Sequence, residues 1–506
     1  MKSKRQPAIS SLFLVILLPA IVLIGIIYVL YSSLIPSSLA VQTSVIVPSD
    51  GNVSSSHKQI TKLGKNFLYR AADYVEELDK DRAIQYFRDE TTPGIVVFYA
   101  PWCPHCIHYV NTYIKYSETY HNKISFYAVN CVEYSEICNM VKVRGYPTIL
   151  AFHVDSTADK VKMSNEIKWI EISKSELTKF LFTFETGSAS LNSLNSLNSL
   201  NVNQPILSAT GNFNITKIDN KNAFIEYYAM VQNGIARETK ARSRLNDGLK
   251  SLNYLLAVES KIQFDAKKQA SMISILNTLI PMLPDSQHRI YRRLLEWLTS
   301  TSVPNIIKEW DSKFAEFVNI TDEFEVCGIS NKNGENVHQL TGFTCGLWIL
   351  MHYCTVQSEI VGTSAVDILH MIHNIVHDLF GCLPCQSNFL RKYESCDYGR
   401  CQIVNANDYK FLQLWLFHVH NSVTNHIYFD HLGEIQDSTG IKNELVAKYH
   451  SDLLLWPSTS SCSACHVVQN YANTPPIGET KPFVAYNPSI WSDHDVIQYL
   501  KQSYIL

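Results

Sequence analysis

The chain's first long apolar run extends from Leu12 to Tyr31 without a charge, and Lys2, Lys4 and Arg5 precede it. About 20 such residues cross a bilayer as a helix. Basic residues ahead of the run leave the N-terminus cytosolic and everything after Ser32 lumenal or extracellular. A cleaved signal peptide is the rival reading, because Ser38-Leu39-Ala40 offers small residues for cleavage. The run exceeds a normal signal core, which favours an uncleaved anchor over residues 1–40. A polar stretch over 41–60 reads as a stalk. From 61 to 186 the periodicity alternates. A helix-like segment, Tyr74–Arg88, precedes a strand at Ile95–Ala100. A helix after Cys106 and a strand at Lys123–Asn130 follow. After Gly145-Tyr146-Pro147 comes a strand at Thr148–His153. Strands alternating with helices predict an α/β domain.

Leu-Asn-Ser then repeats from Leu191 to Asn201. A period of three does not match the helical 3.6, and two positions in three are polar, so 187–205 reads as a flexible linker. Residues 206–315 read as a helix-rich spacer. Its helical pattern runs from Asn222 to Thr299 with a break near Pro281. Met272, Leu276 and Leu279 share one face there, and the segment carries no evident chemistry. In 316–506, Thr344–Gln357, Ala365–Phe380 and Tyr409–Asn425 have the periodicity of bundle helices.

With 506 residues, several cores are expected. Hydrophobic residues make up 46% and charged ones 18%, so the chain is globular. A net charge of −3 gives no electrostatic case for a nucleic-acid partner. Thirteen cysteines suit an oxidising compartment, and the sequons at Asn52, Asn214 and Asn319 fit a lumenal, glycosylated body.

Three Cys-x-x-Cys pairs stand out: Cys103/Cys106, Cys382/Cys385 and Cys462/Cys465. Two thiols at this spacing, the first at a helix start, form a reversible disulfide that trades electrons. The helix N-terminus stabilises the Cys103 thiolate, so Cys103 is the attacking sulfur. Cys106 resolves the mixed disulfide, and His105 adds a positive charge or a donor. A Cys-x-x-Cys disulfide closes too short a loop to serve as a staple. Zinc would need four ligands, and only Cys131 and Cys138 lie near enough in sequence to complete the set. Cys382/Cys385 with Cys396/Cys401 could form a zinc knuckle, or the latter two a local disulfide. Cys462-x-x-Cys465-His466 also spells a haem attachment site. Trp348 and His352, at i and i+4, share a helix face. That pair alone reads as core packing.

Tyr99-Ala100-Pro101-Trp102-Cys103-Pro104-His105-Cys106 after a Val/Phe strand, with Gly145-Tyr146-Pro147-Thr148 further on, resembles the thioredoxin/protein disulfide isomerase family. The resemblance implies a cis Pro147 beside the active pair. The Pro-His dipeptide resembles strongly oxidising members. Thr344-Cys345-Gly346-Leu347-Trp348 with His352, then Cys382/Cys385, His420-Asn421-x-Val423, Trp456-Pro457 and Cys462-x-x-Cys465-His466, resembles the Erv-type flavin sulfhydryl oxidases. The two together resemble the quiescin-sulfhydryl oxidase family.

That resemblance implies a multidomain fold. It comprises an α/β thioredoxin-like domain, an all-α spacer and an Erv-type FAD-binding helical bundle behind the N-terminal transmembrane helix. Cys385 would face FAD and Cys382 would receive electrons. Trp348, His352, His420, Asn421, Val423 and Trp456 match positions around the cofactor. Cys131/Cys138 and Cys327/Cys345 match structural disulfides, and Cys462/Cys465 an auxiliary pair. Cys354 is left as a buried thiol. The implied reaction takes electrons from reduced secretory client proteins to O2, with release of hydrogen peroxide and no metal, at an ER, Golgi or cell-surface membrane. The family commonly has a basic residue at Thr341, His at Asn388, Lys at Leu453, Asn at Thr424 and Trp at Phe417. The departures at Thr341, Asn388 and Leu453 motivate a second reading, an anchored disulfide exchange protein or chaperone with a non-functional flavin domain.

Overall fold

The structure, a computed structural model, describes residues 67–70, 72–154, 162–164, 167–185, 241–318, 324–327, 342–434, 456–467 and 486–506. The apolar run 12–31, the stalk, the linker 187–205, Asn52, Asn214, Asn319, Thr341 and Leu453 lie outside them. The N-terminal transmembrane helix in the expected fold class is not supported. Among the described residues no helix is long and apolar enough to cross a membrane. The apolar length of Gly342–Val361 instead serves a buried helix of the bundle.

The thioredoxin-like part is a six-stranded mixed sheet in the order β1-β3-β2-β4-β6-β5. Its strands are β1 (Glu76–Glu77), β2 (Gly94–Tyr99), β3 (Ser125–Asn130), β4 (Thr148–Phe152), β5 (Lys162–Ser164) and β6 (Ile167–Glu171). β1, β3 and β2 run parallel, while β4, β6 and β5 pair antiparallel. Helices α1 (Lys80–Asp89), α2 (Pro104–Tyr120), α3 (Ser135–Met140) and α4 (Lys174–Glu185) accompany the sheet.

Gly-Ile-Val-Val-Phe-Tyr in β2 is buried throughout, as expected of a central strand covered on both faces. The helix expected from Tyr74 begins only at Lys80. Glu76 and Glu77 are drawn into pairing with Tyr127 and Ala128. The Asp79 carboxylate then accepts from the Arg82 N–H at 2.9 Å and starts the helix.

The spacer is not a separate layer. Helix α5 (Ala241–Ala257) lies along α9 (Gly342–Val361), with α6 (Ala266–Leu279), α7 (Asp285–Ser300) and α8 (Val303–Phe317) between them in sequence. A Cβ on Gly346 would stand 2.1 Å from Ser251 Oγ, so close approach of α5 and α9 requires glycine there. The predicted break near Pro281 appears as a short turn, Ile280–Met282. Helix α10 (Ala365–Asn374) stops short of the expected Phe380 and passes into a π-turn, Ile375–Leu379. The remaining helices are α11 (Leu383–Glu394), α12 (Tyr409–Glu434) and α13 (Asp493–Tyr504).

Asp247, fully buried on α5, ties this bundle to the segment entering α9. Its oxygens accept from the N–H groups of Glu325 at 2.8 Å, Val326 at 2.6 Å and Cys327 at 2.9 Å. Cys327 is disulfide-bonded to Cys345. Replacing Asp247 with Ala strands three backbone donors, those of Val326 and Cys327 buried, and charged hydrogen bonds contribute about 1.5–3 kcal/mol each. Asp247→Ala is therefore expected to lower unfolding free energy by roughly 3 kcal/mol or more, read from the midpoint of denaturant unfolding.

Candidate functional site

Cys103 caps the N-terminus of α2, with Pro104 at the first helical position, where its missing N–H costs nothing. The Cys106 N–H donates to the Cys103 carbonyl at 2.9 Å. Both cysteines are buried free thiols. Burial first, then Cys103 beside it, raises the Cys106 thiol well above its ordinary value. The Tyr146–Pro147 peptide is cis, and the Tyr146 carbonyl lies 4.0 Å from Cys103 Sγ. Behind this centre Glu77 accepts from the Tyr99 hydroxyl at 2.7 Å and the Tyr69 N–H at 2.9 Å. Burial pushes its carboxyl up to about 7.

The second pair meets the first through backbone. The Tyr146 N–H donates to the Gly381 carbonyl at 2.8 Å, and Tyr146 and Cys382 form a parallel bridge. Cys382, bonded to Cys385, is fully buried at the N-terminus of α11. A ring nitrogen of His105 and the Cys382 and Cys385 sulfurs all lie within 4.8 Å of one another. Trp102 packs on Phe343 and Phe380, with ring centroids 4.9 and 5.1 Å away.

Behind Cys385 opens a cavity lined by Trp348, Cys345, Phe380, His420, Val423 and Trp456, with Pro104 of the thioredoxin part at its margin. Trp348 stacks on His420 at 4.3 Å and an angle of 9°. His352 and Asn421 are not in the cavity wall; they hold it from behind. His352 Nε2 is 3.2 Å from His420 Nδ1. The Asn421 side chain clasps the Trp456 backbone, donating to its carbonyl at 2.8 Å and accepting from its N–H at 2.9 Å.

Burial drives His420 down to about 3. Burial first, then His420 and Arg244, drives His352 well below its ordinary value. Both imidazoles are neutral at pH 7. Among the described residues the buried Nε1–H of Trp456, in the cavity wall, and Nδ1 of His352, behind it, have no hydrogen-bond partner. A cavity of aromatic faces with an unpaired buried N–H in its wall fits a planar, polar-edged ring such as a flavin.

Arg244, Thr344, Thr424 and Tyr504 also line the cavity. The Arg244 guanidinium sits over the Tyr504 ring at 5.5 Å. Sequence motifs missed Arg244 and Tyr504 because they come from the first and last bundle helices, and no local spacing relates them. Of the departures from the family pattern, Thr424 faces the cavity. Phe417 stands edge-on to Trp491 at 4.9 Å, while the Asn388 side-chain oxygen accepts from Arg391 at 3.0 Å.

Cys131–Cys138, Cys327–Cys345, Cys396–Cys401 and Cys462–Cys465 are disulfides, and Cys354 is a buried thiol. The zinc knuckle weighed for Cys382/Cys385 and Cys396/Cys401 is not formed, because each pair is bonded internally. His466, the residue that would ligate a haem, is buried with Nε2 2.9 Å from the Pro457 carbonyl.

Comparison with known proteins bears on this arrangement. Residues 75–173 match the Thioredoxin family model, and residues 345–438 match that of the Erv1 / Alr family. Sulfhydryl oxidase 1 of Oryza sativa subsp. japonica is 23% identical over 427 residues, covering 78% of this chain and 73% of the rice protein. Sulfhydryl oxidase 2 of Homo sapiens is 26% identical over 276 residues, covering 50% of this chain and 33% of the human protein. Among solved structures, the sulfhydryl oxidase fragment of human QSOX1 is similar at 20% identity and a TM-score of 0.36. That similarity covers 51% of this chain and 94% of the fragment.

A thioredoxin domain joined to an Erv1/Alr domain defines a thiol oxidase of a flavoprotein class. Carrying both domains and similar to these sulfhydryl oxidases, the chain supports the resemblance to the quiescin-sulfhydryl oxidase family.

The neutral histidines make acid stability a test of the site. His420 falls from an ordinary value of 6.5 to about 3 on folding. A histidine depressed in the folded state contributes its full stability above pH 6.5 and loses it as pH falls toward 3. The melting temperature of the full chain should decline steadily across that window, and His420→Gln should flatten the slope. A melting temperature unchanged on acidification through the window contradicts neutral burial.

Proposed function

We propose that the chain is an FAD-dependent thiol oxidase that forms disulfides in reduced secretory client proteins. The observation that carries this reading is the pairing of Tyr146 with the loop Gly381–Cys382. The second disulfide thereby occupies the backbone slot beside Cys103 in which a client would lie.

The residues suggest the order of steps. A client thiolate attacks Cys103 Sγ of the Cys103–Cys106 disulfide, and Cys106 leaves. The second client thiol attacks the client's own sulfur in the mixed disulfide, so the client departs oxidised and Cys103 is released. With the domains docked, the Cys103 thiolate attacks Cys382 Sγ and expels Cys385 as thiolate. Cys106 then attacks Cys103, re-forming the first disulfide and freeing Cys382. Two electrons have passed from the first pair to the second.

Trp348, His420, Val423 and Trp456 would hold FAD, with His352 and Asn421 fixing their positions. When bound, FAD would supply an acceptor for these two electrons, with O2 as the final oxidant and hydrogen peroxide as the product. Cys385, at the cavity wall, would be the donor. That this cavity is formed with Thr424 in its wall favours an oxidase over an exchange protein with an idle flavin domain. Five disulfides among the described residues support an oxidising lumenal or extracellular setting.

Cys103 has no exposure in the docked arrangement. Clients therefore reach it only after the thioredoxin domain leaves the second pair, and the two partners of Cys103 alternate. Purified full-length protein is expected to be yellow and to consume oxygen with dithiothreitol. Cys103→Ser should reduce oxidation of a protein client by at least about a hundredfold, while the flavin domain continues to oxidise dithiothreitol. Equal loss with both substrates contradicts the relay, and a colourless protein contradicts the cofactor.

A further inference from the structure

Glu259 takes no part in either disulfide, yet its carboxylate lies between them. It opens the turn Glu259–Lys261 that follows α5 and is 2% exposed. Oε1 accepts from Trp102 Nε1–H at 2.8 Å, and Trp102 immediately precedes Cys103. Oε2 faces Gly381, which immediately precedes Cys382: a Cβ there would stand 2.7 Å from this oxygen. Oε2 itself has no hydrogen-bond partner among the described residues.

The same turn holds the thioredoxin domain a second time. The Gln263 N–H donates to Asn139 Oδ1 at 2.7 Å, and Gln263 Nε2 donates to the Asn139 carbonyl at 3.1 Å. Asn139 Nδ2 returns a bond to the Lys261 carbonyl at 3.4 Å. Gln263 has φ +50°, in the left-handed region that disfavours side chains. That conformation aims its N–H and its amide at the same residue of α3.

We propose that the turn from Glu259 to Gln263 is the platform that seats the thioredoxin domain on the second disulfide, with Glu259 as its positioning residue. The proposal rests on the relay described above and adds what holds its two centres together. A buried carboxylate is an expensive choice for a structural contact, since an amide would bond Trp102 equally well. What the carboxyl adds is a proton.

Burial pushes Glu259 up from 4.5 to about 8, against smaller downward pulls from the Trp102 bond and Lys268. When Trp102 withdraws, water reaches the carboxyl and its value returns toward the ordinary 4.5. The docked state thus binds the proton more tightly. Docking is strongest below 4.5 and weakens as pH rises, until about 8. Other ionisable groups face this point. They are the phenols of Tyr146 and Tyr254, Lys268 with Asp378 beyond it, Glu133 beyond Tyr254, and Cys103 and Cys106 beyond Tyr146. His105 stands beside Cys382 and Cys385.

The test uses the full flavin-loaded chain, with oxygen consumption driven by reduced ribonuclease A and, separately, by dithiothreitol, between about pH 5.5 and 8. Glu259→Gln keeps an acceptor for Trp102 but cannot titrate. Its client-driven rate relative to the parent should climb with pH, by up to about tenfold per unit. Glu259→Ala should lower the ratio of client-driven to dithiothreitol-driven turnover by about tenfold, the effect of one lost hydrogen bond of about 1.4 kcal/mol, and Asn139→Ala, which removes the side-chain bonds to Gln263 and Lys261, by at least about tenfold.

If Glu259→Gln tracks the parent at every pH and the alanine variants keep the parent ratio, the platform is overturned. Cys103→Ser, run alongside, separates the two ideas. Persistent client oxidation in that variant sinks the relay, whereas its loss beside parent-like Glu259 variants sinks the platform alone.

Discussion

Everything in this molecule turns on the close approach of two loops that each carry a disulfide-forming pair. One offers the Tyr146 N–H and the other the Gly381 carbonyl, so main chain meets main chain at 2.8 Å. Such contact leaves no room for side chains on the approaching residues. A Cβ on Gly145 would stand 2.6 Å from the Gly381 carbonyl, and one on Gly381 would stand 2.7 Å from the Tyr146 ring. Two glycines therefore permit the approach, and the buried Trp102 closes its edge against Phe343 and Phe380. The same closeness buries Cys103 completely. A sulfur so placed can serve one partner at a time, so a relay built on this contact works by alternation.

The rest of the helical bundle is arranged around the cavity behind Cys385. Trp348, His420 and Trp456 form the cavity wall, and a layer behind them keeps the wall still: His352 bonded to His420, Asn421 clasping Trp456. Neutral imidazoles suit this layer because a buried charge beside the cavity would have to be solvated or paired. Further out, Asp247 fastens the segment that carries Cys327 to α5, and the Cys327–Cys345 disulfide passes that restraint to the start of α9. The spacer thus acts as part of the oxidase core, since α5 packs directly along α9.

Much of this was legible in the chain. The Cys-x-x-Cys spacing, the Pro-Trp before the first pair and the Gly-Tyr-Pro further on carry local constraints that any fold must honour. A thiol at a helix start and a buried central strand are properties of a few neighbouring residues. The same holds for Trp348 and His352, which a helix places on one face. Less legible were the boundaries of the first helix, where pairing of Glu76 and Glu77 with β3 overrode helical periodicity. Among the described residues no helix is long and apolar enough to cross a membrane, and the apolar helix Gly342–Val361 is buried within the bundle.

By itself, then, the sequence determined the Cys-x-x-Cys spacings and placed Trp348 and His352 on one helix face, while the Cys131–Cys138 and Cys327–Cys345 pairings and the groups expected around the cavity were implied by its family resemblance. The spacings and the shared face are short-range facts, settled along a helix or strand. Only the tertiary structure decided how the chemistry is joined. It brought Glu259 between Trp102 and Gly381, set Asn139 on Gln263, and added Arg244 and Tyr504 to the cavity from opposite ends of the bundle. It also sorted His352 and Asn421 into supports rather than walls. Contacts between residues a hundred or more positions apart leave no periodicity in a single chain, so no local pattern could announce them.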